Sequence, residues 1–157
     1  MKKVLVMSLV VLGLLMTGCS PKKVTKEFTY SEIEAGLKYE INATINATND
    51  YLDTVTEEGV YTFDDVDTYA EEIEILKTEF ENYRNCPEGV GGVNCSKYIE
   101  FTWSMEGNVL TAKTVTHYDQ ARENKEGLTP TEVYSSKEYY SLKVTVEEYL
   151  KEGYEEK

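Results

Sequence analysis

The chain has 157 residues, enough for one domain of ordinary size with a short appendage. Its 41% hydrophobic and 29% charged residues are those of a globular protein, and 3 prolines with 10 glycines argue against long disordered stretches. Acids outnumber bases 29 to 16, a formal charge of -13, which argues against phosphate-backbone recognition of nucleic acid; one histidine and three cysteines leave little material for a zinc or heme centre.

The first residues read as an export signal, 1–18. Met1-Lys2-Lys3 is a positive start, Val4 to Met16 is an apolar run of thirteen residues, and Thr17-Gly18-Cys19 ends it with small residues and a cysteine. The run falls short of the roughly 20 apolar residues a spanning helix needs. Met16-Thr17-Gly18-Cys19 resembles the lipobox of bacterial lipoproteins, with methionine where that pattern prefers leucine. The resemblance implies cleavage between Gly18 and Cys19, a diacylglyceryl group on the Cys19 thiol, and acyl chains such as palmitate. Two such chains suffice for stable anchoring, because each buried CH₂ contributes about 0.8 kcal/mol. The expected location is the extracytoplasmic side of the cell membrane, anchored to it and not crossing it.

Residues 19–26 read as the lipidated cysteine and a basic tether, with Lys22, Lys23 and Lys26 facing an anionic bilayer. From Glu27 the balance reverses. Eleven bases stand against 29 acids over 27–157, a formal charge of -18, so this single acidic domain is expected to stand off the membrane surface.

Within the domain, Phe28 to Ile33 suggests a strand, with Ala35-Gly36 as its turn. Leu37, Tyr39, Ile41, Ala43, Ile45 and Ala47 alternate with polar residues, a strong period-two signal. Asn49-Asp50 turns the chain into a third strand, Tyr51 to Val55, which Val60 to Phe63 extends. Asp64 or Asp65 opens an amphipathic helix to about Arg84, its apolar stripe being Val66, Tyr69, Ala70, Ile73, Leu76, Phe80 and Tyr83. Asn85 to Ser96 is a loop. Ile99, Phe101, Trp103 and Met105 mark a further strand, Glu106-Gly107-Asn108 a turn, and Val109 to Tyr118 its partner. Asp119 to Pro130 is polar and reads as irregular, and Glu132 to Tyr140 carries a weak helical signal. Thr145-Val146-Glu147-Glu148 has the form of a capping box opening a short C-terminal helix that Gly153 ends. The order predicts an α+β fold: an antiparallel sheet of four to five strands with one long amphipathic helix and a short C-terminal helix.

This order is similar to that of the YehR-like small bacterial lipoproteins. The shared features are the lipobox, a β-rich first half, a helix ending Tyr83-Arg84-Asn85 before a loop with Gly92-Val93, a strand hairpin, and a C-terminal helix ending Gly153-Tyr154. Cys86 and Cys95 depart from that pattern. The resemblance implies a small α+β lipoprotein and supplies no catalytic residues.

Several residues are candidates for chemistry. Once Cys19 is lipidated, Cys86 and Cys95 remain as a pair; in an oxidising compartment a disulfide would close the loop and contribute roughly 2–3 kcal/mol. Their spacing is not that of a C-x-x-C redox motif. His117, the only imidazole, has no nucleophile motif to serve and reads as a surface or edge residue. Asp64, Asp65 and Asp67 lack the glycine and distal glutamate of an EF-hand, so helix capping explains them more simply than calcium. No metal or cofactor is expected. Thirteen tyrosines can serve packing or sugar and peptide stacking; Tyr39, Tyr69, Tyr83 and Tyr149 fall on predicted core faces. Asn42, Asn46 and Asn94 match glycosylation acceptors by composition.

The functional expectation is a membrane-anchored envelope lipoprotein whose domain binds an envelope protein or small ligand without catalysis, a cationic partner being favoured electrostatically. The alternatives are an envelope hydrolase using a carboxylate pair and a structural or assembly lipoprotein.

Overall fold

In the computed structural model, residues 21–85, 96–128 and 140–157 are described. Among them are the strands β1 (Lys23–Glu34), β2 (Leu37–Thr48), β3 (Tyr51–Phe63), β4 (Ile99–Glu106), β5 (Val109–His117) and β6 (Glu155–Glu156), and the helices α1 (Ala70–Asn85), α2 (Tyr118–Asn124) and α3 (Leu142–Lys151). The strands form one antiparallel sheet in the order β4-β5-β3-β2-β1-β6. The fold is α+β, as the alternation implies. It has more elements than expected: six strands and three helices among the described residues.

Each difference has a local cause. β6 is two residues long and exists because Glu155 and Glu156 add to β1 beside Thr29 and Phe28; no periodicity is readable over two residues. α2 occupies a stretch expected to be irregular. Its one buried apolar residue is Ala121, so no stripe betrays it. Arg122 Nη1 donates to the Leu52 carbonyl at 2.5 Å and Nη2 to Asp53 at 3.0 Å, which fastens α2 to β3. α1 starts at Ala70 and not at Asp64 or Asp65, because Asp65 first closes a turn, accepting from the Asp67 amide at 3.0 Å and the Thr68 hydroxyl at 2.7 Å. β1 starts at Lys23, inside the expected tether, and Lys26 pairs with Glu156.

The α3 cap also differs from the expected capping box. Ser141 caps, its Oγ accepting from the Val144 amide at 3.3 Å, and Thr145 lies inside the helix. The β2–β3 turn completes the cap: Asp50 Oδ1 accepts from the Lys143 amide at 3.0 Å, and Ser141 Oγ donates to Asp50 Oδ2 at 2.9 Å. Gly153, at φ 92°, ends the helix as expected, and Tyr154 turns back with its amide donating to Tyr149 O at 3.0 Å.

Register gives the sheet its two faces, since directly paired residues point to the same side. One row runs Phe101, Thr114, Glu57, Ala43, Phe28 across β4, β5, β3, β2 and β1. Its neighbour runs Trp103, Ala112, Gly59, Ile41, Tyr30. The buried residues Phe28, Ile45, Leu52, Phe63 and Leu110 share this face. The core there has two parts. α3 covers Phe28, Ala43, Ile45, Leu52 and Val55. α1 places Ile73 and Phe80 over Phe63 and Leu110. The opposite face is polar, with Thr25, Asn46 and Thr54 linked across three strands.

A bulge in β3 sets this arrangement. Ala47 pairs with Leu52 and Asn46 with Thr54, so Asp53 is the extra residue. Thr48 donates to Asp53 Oδ2 at 2.6 Å while Arg122 holds Oδ1. Beyond the bulge the inward residues become Val55, Glu57, Gly59, Tyr61 and Phe63.

The export signal, the cleavage position at Gly18 and Cys19, the pair Cys86 and Cys95, the weak helical signal before Tyr140, and Asn94 lie outside the described residues. Among the described residues no helix is long and apolar enough to cross a membrane.

Candidate functional site

Between the two parts of the core, the inward side chains of the sheet shrink. Gly59 and Ala112 sit side by side in β3 and β5, with Thr114 and Ala43 in the next row. A glycine inside a strand marks a close approach. Here the space goes to the Tyr39 ring, which lies 3.4 Å from where a Gly59 Cβ would be. The depression left by these small residues is a trough of about 380 Å³. α1 walls it with Leu76, Glu79, Phe80 and Tyr83, and Tyr39, Tyr61, Phe101 and Tyr154 complete the lining.

The rings form a continuous belt across the sheet. Tyr61 stacks on Tyr39 with centroids 4.5 Å apart, Tyr39 meets Tyr30 edge-on at 6.4 Å, Tyr30 meets Tyr154 at 5.5 Å, and Tyr154 meets Tyr149 at 4.7 Å. On the other side Tyr61 leads to Phe80 at 6.0 Å, Phe80 to Phe101 at 5.6 Å, and Phe101 to Tyr83 at 5.6 Å. Such tilted and offset pairs are the geometries that ring quadrupoles favour.

Glu57 stands in the middle of this belt. It lines the trough and also a larger hollow of about 740 Å³ toward Tyr118, Leu128, Val144 and Glu148. The Tyr149 hydroxyl donates to Glu57 Oε1. Among the described residues no lysine or arginine pairs with it. Among the described residues, this carboxylate on the helix-covered face thus has a neutral donor and no counter-ion.

Three hydroxyls of the belt hold their protons to higher pH than a free tyrosine does. Burial raises the Tyr149 and Tyr39 hydroxyls well above the ordinary tyrosine value, with the Glu57 charge adding to both and the Tyr61 hydroxyl to Tyr39. Tyr154 is pushed up to about 12, by burial first and the charge of Glu57 second. These phenols are neutral at physiological pH, and the acidic side chains among the described lining residues are Glu57 and Glu79.

The residues singled out from sequence fall elsewhere. Nε2 of His117 lies 3.1 Å from Glu100 Oε1 across β5 and β4, on the polar face. Asp65 serves the turn before α1, and its hydrogen bond from Thr68, followed by that from the Asp67 amide, lowers its pKa. Asn42 and Asn46 lie within β2, where Lys157 donates to Asn42 and Thr25 to Asn46. Of the tyrosines assigned to the core, Tyr39, Tyr69 and Tyr149 are half-buried, whereas Tyr83 is 45% exposed at the trough rim. Among the described residues no group of three or more metal-binding side chains converges. Sequence reading does not single out Glu57, Gly59 or Tyr61; the interior glycine of β3 is the available signal.

No family model matches this chain, and no curated protein matches it. It is similar to a solved structure described as the NMR structure of the protein from Streptococcus pneumoniae TIGR4, at 13% identity and a TM-score of 0.47. That similarity covers 89% of this chain and 88% of the other, and at this level it says nothing of function.

Proposed function

We propose that this protein is a bacterial envelope lipoprotein, anchored through Cys19 on the extracytoplasmic side of the membrane, whose acidic domain binds a ligand without catalysis. The supporting observation is the aromatic trough around Glu57, a concave surface with a charged group that no described residue neutralises. The anchor rests on the apolar run and the Met16-Thr17-Gly18-Cys19 ending. The likeness to YehR-like lipoproteins belongs to the same reading. With β1 beginning at Lys23, four residues past Cys19, the span from anchor to sheet is at most about 14 Å. The sheet therefore stands closer to the bilayer than an eight-residue tether implies.

Two measurements test this reading. Labelled fatty acid is incorporated in the host and lost in Cys19→Ala; incorporation that persists in the variant removes the anchor. Native mass spectrometry of protein isolated from its host shows a reproducible added mass. A bare chain under gentle conditions contradicts the binding role.

A further inference from the structure

We propose that the trough between α1 and α3 takes a small organic ammonium ion, with the rings of Tyr39, Tyr61, Tyr83 and Tyr154 around it and Glu57 as its counter-ion. The assignment rests on the binding role proposed above and names the chemistry of its ligand.

Three independent features point to this class. The first is the lining. Aromatic faces carry negative quadrupole density, and a cation within about 6 Å of a ring centroid gains roughly 0.5–2 kcal/mol. The second is the acid. Glu57 is set among rings and, among the described residues, the Tyr149 hydroxyl is its one donor. A carboxylate partly removed from water loses hydration that a single neutral donor does not restore, and a cation in the trough restores it. Glu79 lines the same trough from α1 and adds a second negative charge. The third is the field. The acids outnumber the bases 29 to 11 from Glu27 onward, so cations are drawn in and anions repelled.

Size and hardness narrow the class. A space of about 380 Å³ is at the small end of ligand pockets and suits a molecule of a few heavy atoms. A hard divalent ion takes six to eight oxygen ligands, whereas rings outnumber carboxylates here.

The test is a calorimetric titration of the full chain in nonionic detergent at low salt, using choline, ethanolamine and 3,3-dimethylbutanol. The last is the neutral carbon isostere of choline. At least one ammonium compound is expected to bind about tenfold or more tightly than the neutral isostere. Glu57→Gln keeps an acceptor for Tyr149 but removes the charge, and is expected to weaken the ammonium compound about tenfold while leaving the isostere unchanged. Tyr83→Ala, at the exposed rim, is expected to weaken it while the chain still unfolds cooperatively. Equal binding of choline and the isostere overturns the cation assignment and leaves the binding role standing. So does the absence of ammonium binding alongside an added mass in the native spectrum. No ammonium binding together with a bare native mass overturns both.

Discussion

At the scale of single residues, the side chains that matter most are those that resolve a polar conflict. Asp53 is forced out of the ladder by the bulge, and Thr48 and Arg122 give its carboxylate the partners it needs. Arg122 and Asp53 are each about a quarter exposed, so water replaces their contact poorly. Replacing Arg122 by methionine keeps its length and removes its donors. We expect a loss of about 2 kcal/mol in denaturant unfolding, the range for a charge-assisted hydrogen bond whose partner is left behind. An unchanged midpoint would show that the bulge holds without it. The tyrosines give a second expectation, in pH. Their folded pKa values lie above the unfolded value of about 10, so the native state holds these protons more tightly. That stabilisation is complete below about pH 10 and is lost as pH rises through the folded values. The unfolding midpoint therefore falls above about pH 10, and falls less in Tyr154→Phe. A midpoint that is flat up to about pH 12 contradicts the burial of the belt.

At the scale of elements, α3 shows how far a cap can come from. Its first turn is satisfied by Ser141 and by Asp50 from the β2–β3 turn. Ser141→Ala is expected to cost about 1 kcal/mol, and Asp50→Ala a similar amount, with less than additive loss in the double variant because the two residues share a hydrogen bond. Full additivity in thermal unfolding would mean that the two act separately. The sequence reads this helix but not its start, since Asp50 is brought to it only by the sheet. The strands were legible because burial on one face imposes period two. β2 and β4 show that alternation directly, with Ala43, Ile45 and Ala47 buried in β2. α2 was illegible because one alanine cannot make a period. The trough was illegible for a different reason. Counting in twos from Leu52 puts Glu58 inward, and only the bulge at Asp53 turns Glu57 and Gly59 to the helix side.

At the scale of the whole molecule, α1 and α3 leave the middle of the sheet uncovered among the described residues. α1 and α3 cover separate parts of one face, and the strip between them is floored by Gly59 and Ala112 and walled by rings. The packing that would have closed the strip is absent because two inward positions have almost no side chain. Gly59→Leu fills that floor. We expect it to change stability by less than about 1 kcal/mol, the strand preference offsetting the crowding of Tyr39, and to abolish ligand binding. Normal binding in a folded Gly59→Leu chain would place the ligand elsewhere. The acidic surface acts at this scale too. Raising the salt from low to physiological strength screens charges beyond about 8 Å, so the on-rate of a cationic ligand falls while its contact with Glu57 persists.

The most direct test of the trough as a binding site is a tyrosine-labelled NMR titration of the full chain with choline. Ring shifts are expected at Tyr39, Tyr61, Tyr83 and Tyr154, and at Tyr149 through its hydrogen bond to Glu57, with Tyr51 and Tyr69 unmoved. Shifts spread evenly over all the tyrosines, or none at saturating ligand, contradict it.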